Sequence, residues 1–149
     1  MDRYNGWFAA GERAWHQPRP DGEMRGPAIV APMDQQTDTI GEITLMTSGG
    51  GRVDVTIDGV YRDVPEIGAY RAALREEKAS ERKTREFMRR EGFVWGGKAC
   101  TATMEWAAYA AAEERLSDAY LALREADRAV GRANQERSGA SARRGGPYG

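Results

Sequence analysis

The sequence predicts an α+β chain in which a small three-stranded antiparallel meander is followed by a long antiparallel helical hairpin, with an extended N-terminal arm ahead of both. Three observations predict it. Residues 40–64 alternate apolar and polar side chains at the two-residue period of half-buried strands. Residues 66–91 and 103–130 are long proline-free runs with helical spacing, whereas residues 17–38 carry prolines and glycines too closely spaced for a helix. The chain divides accordingly into an arm over 1–39, one α+β domain over 40–131 (meander 40–64, hairpin 66–131) and a basic tail over 132–149.

The arm opens with Trp7, Phe8 and Trp15 on a stretch interrupted by Gly6 and Gly11. Each glycine weakens a helix there by about 1 kcal/mol. The aromatics suit either a clasp that packs back on the domain or a docking motif for another protein. From Gln17 to Asp38, the residues Pro18, Pro20, Asp21-Gly22, Gly26-Pro27 and Pro32 exclude both a helix and a central strand. Only Ala28 to Ala31 offers an apolar anchor, enough for an edge strand.

In the meander, Val53, Val55 and Ile57 alternate with Asp54, Thr56 and Asp58, and Ile43, Leu45 and Thr47 alternate ahead of them across a loose Ser48 to Gly51 turn. Asp58-Gly59 reads as a two-residue hairpin turn into a third strand, Val60 to Val64. Three such strands need a cover on their apolar face. Ile67, Tyr70 and Leu74, at helical spacing after Pro65, supply the stripe for it.

Beyond that stripe the first helix is charged. From Arg75 to Glu86 its only apolar residue is Ala79, although Glu81 with Arg85 and Glu86 with Arg90 form i,i+4 pairs worth about 0.2–0.5 kcal/mol each. The second helix carries a heptad seam of Tyr109, Ala112, Leu116, Ala119, Leu123, Ala126 and Val130, with Gly131 as its expected C-terminal cap. Leu116 and Ala119 are expected to face the charged middle of the first helix, so part of the seam lacks an apolar partner within the chain. A homo-oligomer built on the second helices, or docking against a larger assembly, fills that gap.

The connector Gly92-Phe-Val-Trp-Gly-Gly-Lys98 resembles the glycine-rich phosphate-binding loop of nucleotide triphosphatases, but Ala99 stands where that loop has serine or threonine, and a charged helix precedes it instead of a strand. What the residues themselves offer is an anion or ligand site at Trp95, Gly96, Gly97 and Lys98, with Trp95 available to stack on a base. The simpler reading is a chain reversal plugged by Phe93, Val94 and Trp95.

Composition narrows the chemistry. His16 and Cys100 are the only histidine and cysteine, so no disulfide closes within the chain and no His/Cys metal site of three ligands can form. Carboxylates such as Asp54, Asp58, Asp63, Glu113 and Glu114 show no spacing that assigns an acid and a base. A pI near 5.9 argues against a nucleic-acid-binding domain. No basic leader or apolar span of about 18 residues appears, which suits a cytoplasmic protein. Charge is unevenly placed: residues 1–66 carry −5, residues 71–91 carry +3 and residues 132–149 carry +3. That distribution favours head-to-tail contact between copies.

The sequence therefore predicts a non-enzymatic interaction or structural protein without cofactor or metal, its partner itself or a larger protein assembly. The size and the arginine-rich composition of a GC-rich genome suit a small phage accessory or virion component. A binder of a small phosphorylated or nucleotide ligand, at the inter-helix loop or a subunit interface, is the alternative. Nucleic-acid contact through Arg143 and Arg144 of the tail, which is expected to be disordered, is a third reading.

Overall fold

Alternation along residues 42–56 produces the antiparallel hairpin expected of it, but the computed structural model sets that hairpin in a larger sheet. The structure describes the backbone of residues 6–144 and the side chains of residues 6–139. Five strands form, β1 (Arg13–His16), β2 (Arg25–Val30), β3 (Glu42–Met46), β4 (Arg52–Thr56) and β5 (Val60–Arg62), in the order β4-β3-β2-β1-β5 and all antiparallel. The α+β class holds, while the meander of three strands becomes a sheet of five.

Two corrections follow. The supposed arm supplies β1 and β2, and β2 is the central strand in spite of Pro27. Its proline is tolerated because the β1–β2 register is broken there: Ala14 pairs with Ala28 and His16 with Arg25, so Gly26 and Pro27 lie in the irregularity, where no ladder N–H is called for. Asp58-Gly59, in turn, is no hairpin. It belongs to a 3-10 turn, Ile57–Gly59, that carries the chain from one edge strand, β4, to the other, β5.

That short link fixes the shape of the sheet. Thr56 and Val60 are four residues apart, a reach of at most about 14 Å, whereas the edges of a flat five-stranded sheet stand roughly 19 Å apart. The sheet must curl toward a barrel. Gln17 N–H donates to the Gly59 carbonyl at 2.8 Å and Ile57 N–H to the Gly41 carbonyl at 2.9 Å, tying both ends of the link to the sheet. A side chain on Gly59 would put its Cβ 2.6 Å from the Gln17 carbonyl oxygen, which explains the glycine.

Three helices complete the chain: α1 (Glu66–Glu91), α2 (Lys98–Thr101) and α3 (Met104–Arg144). The residues group into two compact units, Met1–Val64 with Arg124–Gly149, and Pro65–Leu123.

In the first unit the concave face of the sheet is filled by Ala14, Ala28, Val30, Ile43, Leu45, Val55 and Val60, with Phe8 buried among them and Trp7 packed against the cluster. The sheet is thus closed by its own N-terminal aromatics. Beside them Arg62 is buried at 2% exposure. Its guanidinium lies 4.3 Å from the Phe8 ring centroid, and pairs with Glu12 at 2.9 Å and with Asp127 of α3 at 3.0 Å. Asn134 donates to the Trp7 carbonyl at 3.1 Å and to Glu12 at 2.7 Å.

These contacts explain why α3 does not stop at Gly131 but runs on to Arg144, where a disordered tail was expected. Gly131 is a close-approach glycine: a Cβ there would lie 2.5 Å from the Trp7 indole. Residues 145–149 of the expected tail lie outside the described residues, as do the side chains of Arg143 and Arg144.

In the second unit α1 and the first half of α3 run antiparallel. Tyr70 meets Tyr120 with ring centroids 5.7 Å apart, Glu76 pairs with Arg115, and Thr84 Oγ1 donates to the Glu105 carbonyl at 3.3 Å. The buried stripe of α1 continues from Ile67, Tyr70 and Leu74 through Glu77 and Thr84 to Met88, so its polar middle is turned inward, not left in solvent. Opposite, Tyr109, Ala112 and Leu123 are buried and Leu116 and Ala119 half-buried. Gly92 in the left-handed region closes α1, its N–H donating to the Arg89 carbonyl and Phe93 N–H to the Met88 carbonyl.

Candidate functional site

Where α1 hands over to α3, the Gly92 cap and a second left-handed glycine, Gly96 at φ 77°, fold the connector into a compact tip. Gly97 N–H donates to the Val94 carbonyl at 2.9 Å, and the one-turn α2 follows. Thr103 then starts α3: its hydroxyl donates to the Cys100 carbonyl at 2.7 Å and accepts from Trp106 N–H at 3.1 Å, the geometry of an N-cap.

This folding brings three rings together. Trp95, Trp106 and Tyr109 contact one another pairwise with centroid separations of 5.0, 5.4 and 5.6 Å, mostly edge to face. The Arg85 guanidinium sits 4.0 Å from the Trp95 centroid and is held there by Glu81 at 3.0 Å, so the i,i+4 pair read from the sequence also seats a cation on an indole. Tyr109 is buried, and that burial, reinforced by the carboxylates of Glu113, Glu81 and Glu77, pushes its phenol up to about 12 while Arg85 opposes the change. The phenol is neutral at any physiological pH.

Around this rigid cluster apolar side chains point outward. Val94 is 76% exposed and Met104 85% exposed, with Phe93, Trp95 and Trp106 half-buried. The plug expected of Phe93, Val94 and Trp95 is therefore partial. A pair of tryptophans bracketing the glycine turn was the signal in the sequence, and Trp106 escaped it because it lies off the heptad seam.

The structure places the other sequence-derived candidates differently. Of the anion-site group, Gly97 N–H is engaged in the turn, one face of Trp95 is covered by Arg85, and Lys98 is exposed at the start of α2. Trp7 and Phe8 are turned into the first unit, and Trp15 is buried with its indole N–H donating to Asp63 at 2.8 Å. The seam residues Tyr109, Ala112, Leu116, Ala119 and Leu123 belong to the second unit, and Ala126 and Val130 to the first, all of them buried or half-buried.

His16 ends β1, half-buried, with its pKa lowered by burial and then by Arg25; Cys100 is buried in α2. Among the described residues no group of three or more His, Cys, Asp or Glu side chains is placed to hold a metal ion, and no helix is long and apolar enough to cross a membrane. Compared with protein-family models, curated proteins and solved structures, the chain matches none.

Proposed function

We propose that this chain is a non-enzymatic interaction protein that self-associates, with the tip of the helical hairpin as its contact surface. The observation that carries the reading is the exposure of Val94 and Met104 beside the locked Trp95, Trp106 and Tyr109 cluster. Large apolar groups held out in water beside tryptophan and arginine match the composition of energetic centres in protein interfaces. Because the rings and Arg85 already restrain one another, covering them costs little further side-chain entropy. With the α3 seam turned inward, the tip holds the largest apolar exposure of the second unit.

Fully burying one side chain of the size of Val94 or Met104 contributes about 1.5–3 kcal/mol, or roughly tenfold to a hundredfold in affinity. Light scattering across the micromolar range tests the reading. Wild type should gain mass with concentration, and Val94→Asp combined with Met104→Asp should remain monomeric with an unchanged melting temperature, since both side chains are exposed in the monomer. A wild type that is monomeric throughout, or a double variant that associates as before, contradicts it.

A further inference from the structure

Resting on that reading of the tip, we infer that the occupant is the β2–β3 loop of a second copy, which makes the contact head-to-tail. The loop, residues 31–41, is built to present one apolar side chain in an acidic setting. Ile40 is 95% exposed and Met33 is 43% exposed, and Asp34, Asp38 and Glu42 lie between or beside them. From residue 26 to residue 51 the chain has these three carboxylates and no lysine, arginine or histidine. The tip is its counterpart in sign. Between residues 81 and 106, which span the tip, stand Arg82, Lys83, Arg85, Arg89, Arg90 and Lys98 against Glu81, Glu86, Glu91 and Glu105, a net charge of +2.

The loop is also held in shape. Gln36 donates to the carbonyls of Ala31 and Thr44 at 2.9 and 3.0 Å and accepts from Thr44 N–H at 2.7 Å. Thr37 N–H donates to Thr44 Oγ1, which in turn donates to Asp54 at 2.6 Å. A loop tied down at its base, with an isoleucine at its apex, meets a partner with little ordering cost. Opposite charge around two apolar centres fixes which surface meets which. Ile40 on the loop and Val94 and Met104 on the tip are each exposed, so each surface is open to a partner. Because the two surfaces differ, each bound copy leaves one loop and one tip unfilled, and assembly continues to a ring or a filament.

Mixing two blocked variants of the full chain tests this. Ile40→Asp keeps a working tip but no working loop, and Val94→Asp with Met104→Asp keeps a working loop but no working tip. Each alone should sediment as a monomer, and their equimolar mixture should form a two-chain species and stop, because only one junction can be made. Wild type should exceed dimer mass at low salt and fall back as salt is raised. If Ile40→Asp associates like wild type while the tip variant does not, the tip remains the contact surface and the loop is overturned as its occupant. Wild type that stays monomeric at high micromolar concentration overturns the inference, as does a mixture that stays monomeric. Unchanged melting temperatures confirm that each variant folds.

Discussion

Arg62 and Tyr109 show how much of this structure depends on where a single polar side chain is placed. Arg62 is enclosed by Glu12, Asp127 and the Phe8 ring, whereas the pair of Arg13 with Asp63, at 3.3 Å, is on the surface with the arginine side chain 63% exposed. The first is sensitive to loss of a partner and the second is not. Asp127→Ala should lower the unfolding free energy by about 3–5 kcal/mol, and Arg13→Ala by less than about 1 kcal/mol, both measured by urea denaturation. Equal losses would contradict the account of the buried cluster. Tyr109 makes a prediction about alkaline pH. Folding raises its pKa from 10.0 to about 12, so the folded phenol keeps a proton that the unfolded chain gives up. Its contribution is full below pH 10 and is lost as pH rises toward 12. In denaturation curves taken across that range, Tyr109→Phe should remove this part of the alkaline decline. None of these partnerships could be read from the sequence, where Arg62 is one arginine in a strand and Asp127 one acid in a charged helix.

Elements were legible where local pattern and tertiary packing agree. The first helix begins at Glu66 and ends at Glu91 as its proline and glycine signals indicate, and β3 and β4 form as strands where the alternation lies, although Thr44 is buried between Ile43 and Leu45 and Val53, expected on the covered face, is exposed. Patterns failed where a long-range contact overrode a local preference. Pro27 sits in a central strand because a register break removes the need for its N–H, and Gly131 continues a helix because Trp7 lies against it. The Asp58-Gly59 signal misled because the next strand pairs with β1, far away in sequence, instead of with β4. Glu77 and Thr84 occupy inward positions of α1 that an apolar-only stripe passes over. The start of α3 gives a test at this scale. Thr103→Ala removes the acceptor for Trp106 N–H and should cost about 1 kcal/mol. It should also loosen the Trp95 and Trp106 pair, seen as a change in near-ultraviolet circular dichroism. An unchanged spectrum and stability would mean that the cap does not hold the tip.

For the whole molecule, the sequence points to self-association along the second helix, whose seam residues are buried or half-buried in the single chain. The seam along the second helix follows its periodicity: Tyr109, Ala112 and Leu123 are buried and Leu116, Ala119, Ala126 and Val130 half-buried. Among the described residues the most exposed large apolar side chains are Ile40, Met104 and Val94, single residues in turns or at a helix start that no periodic pattern marks. The charge imbalance is legible in the sequence, and it supports the proposed pairing of loop with tip. Hydroxyl-radical footprinting reads that surface residue by residue, because exposed methionines oxidise faster than buried ones. Comparing dilute with concentrated wild-type protein, Met104 should become protected on association and Met33 along with it, while Met88, buried in either state, stays slow. An oxidation rate for Met104 that is the same in the dilute and the associated protein would contradict the tip as the contact surface.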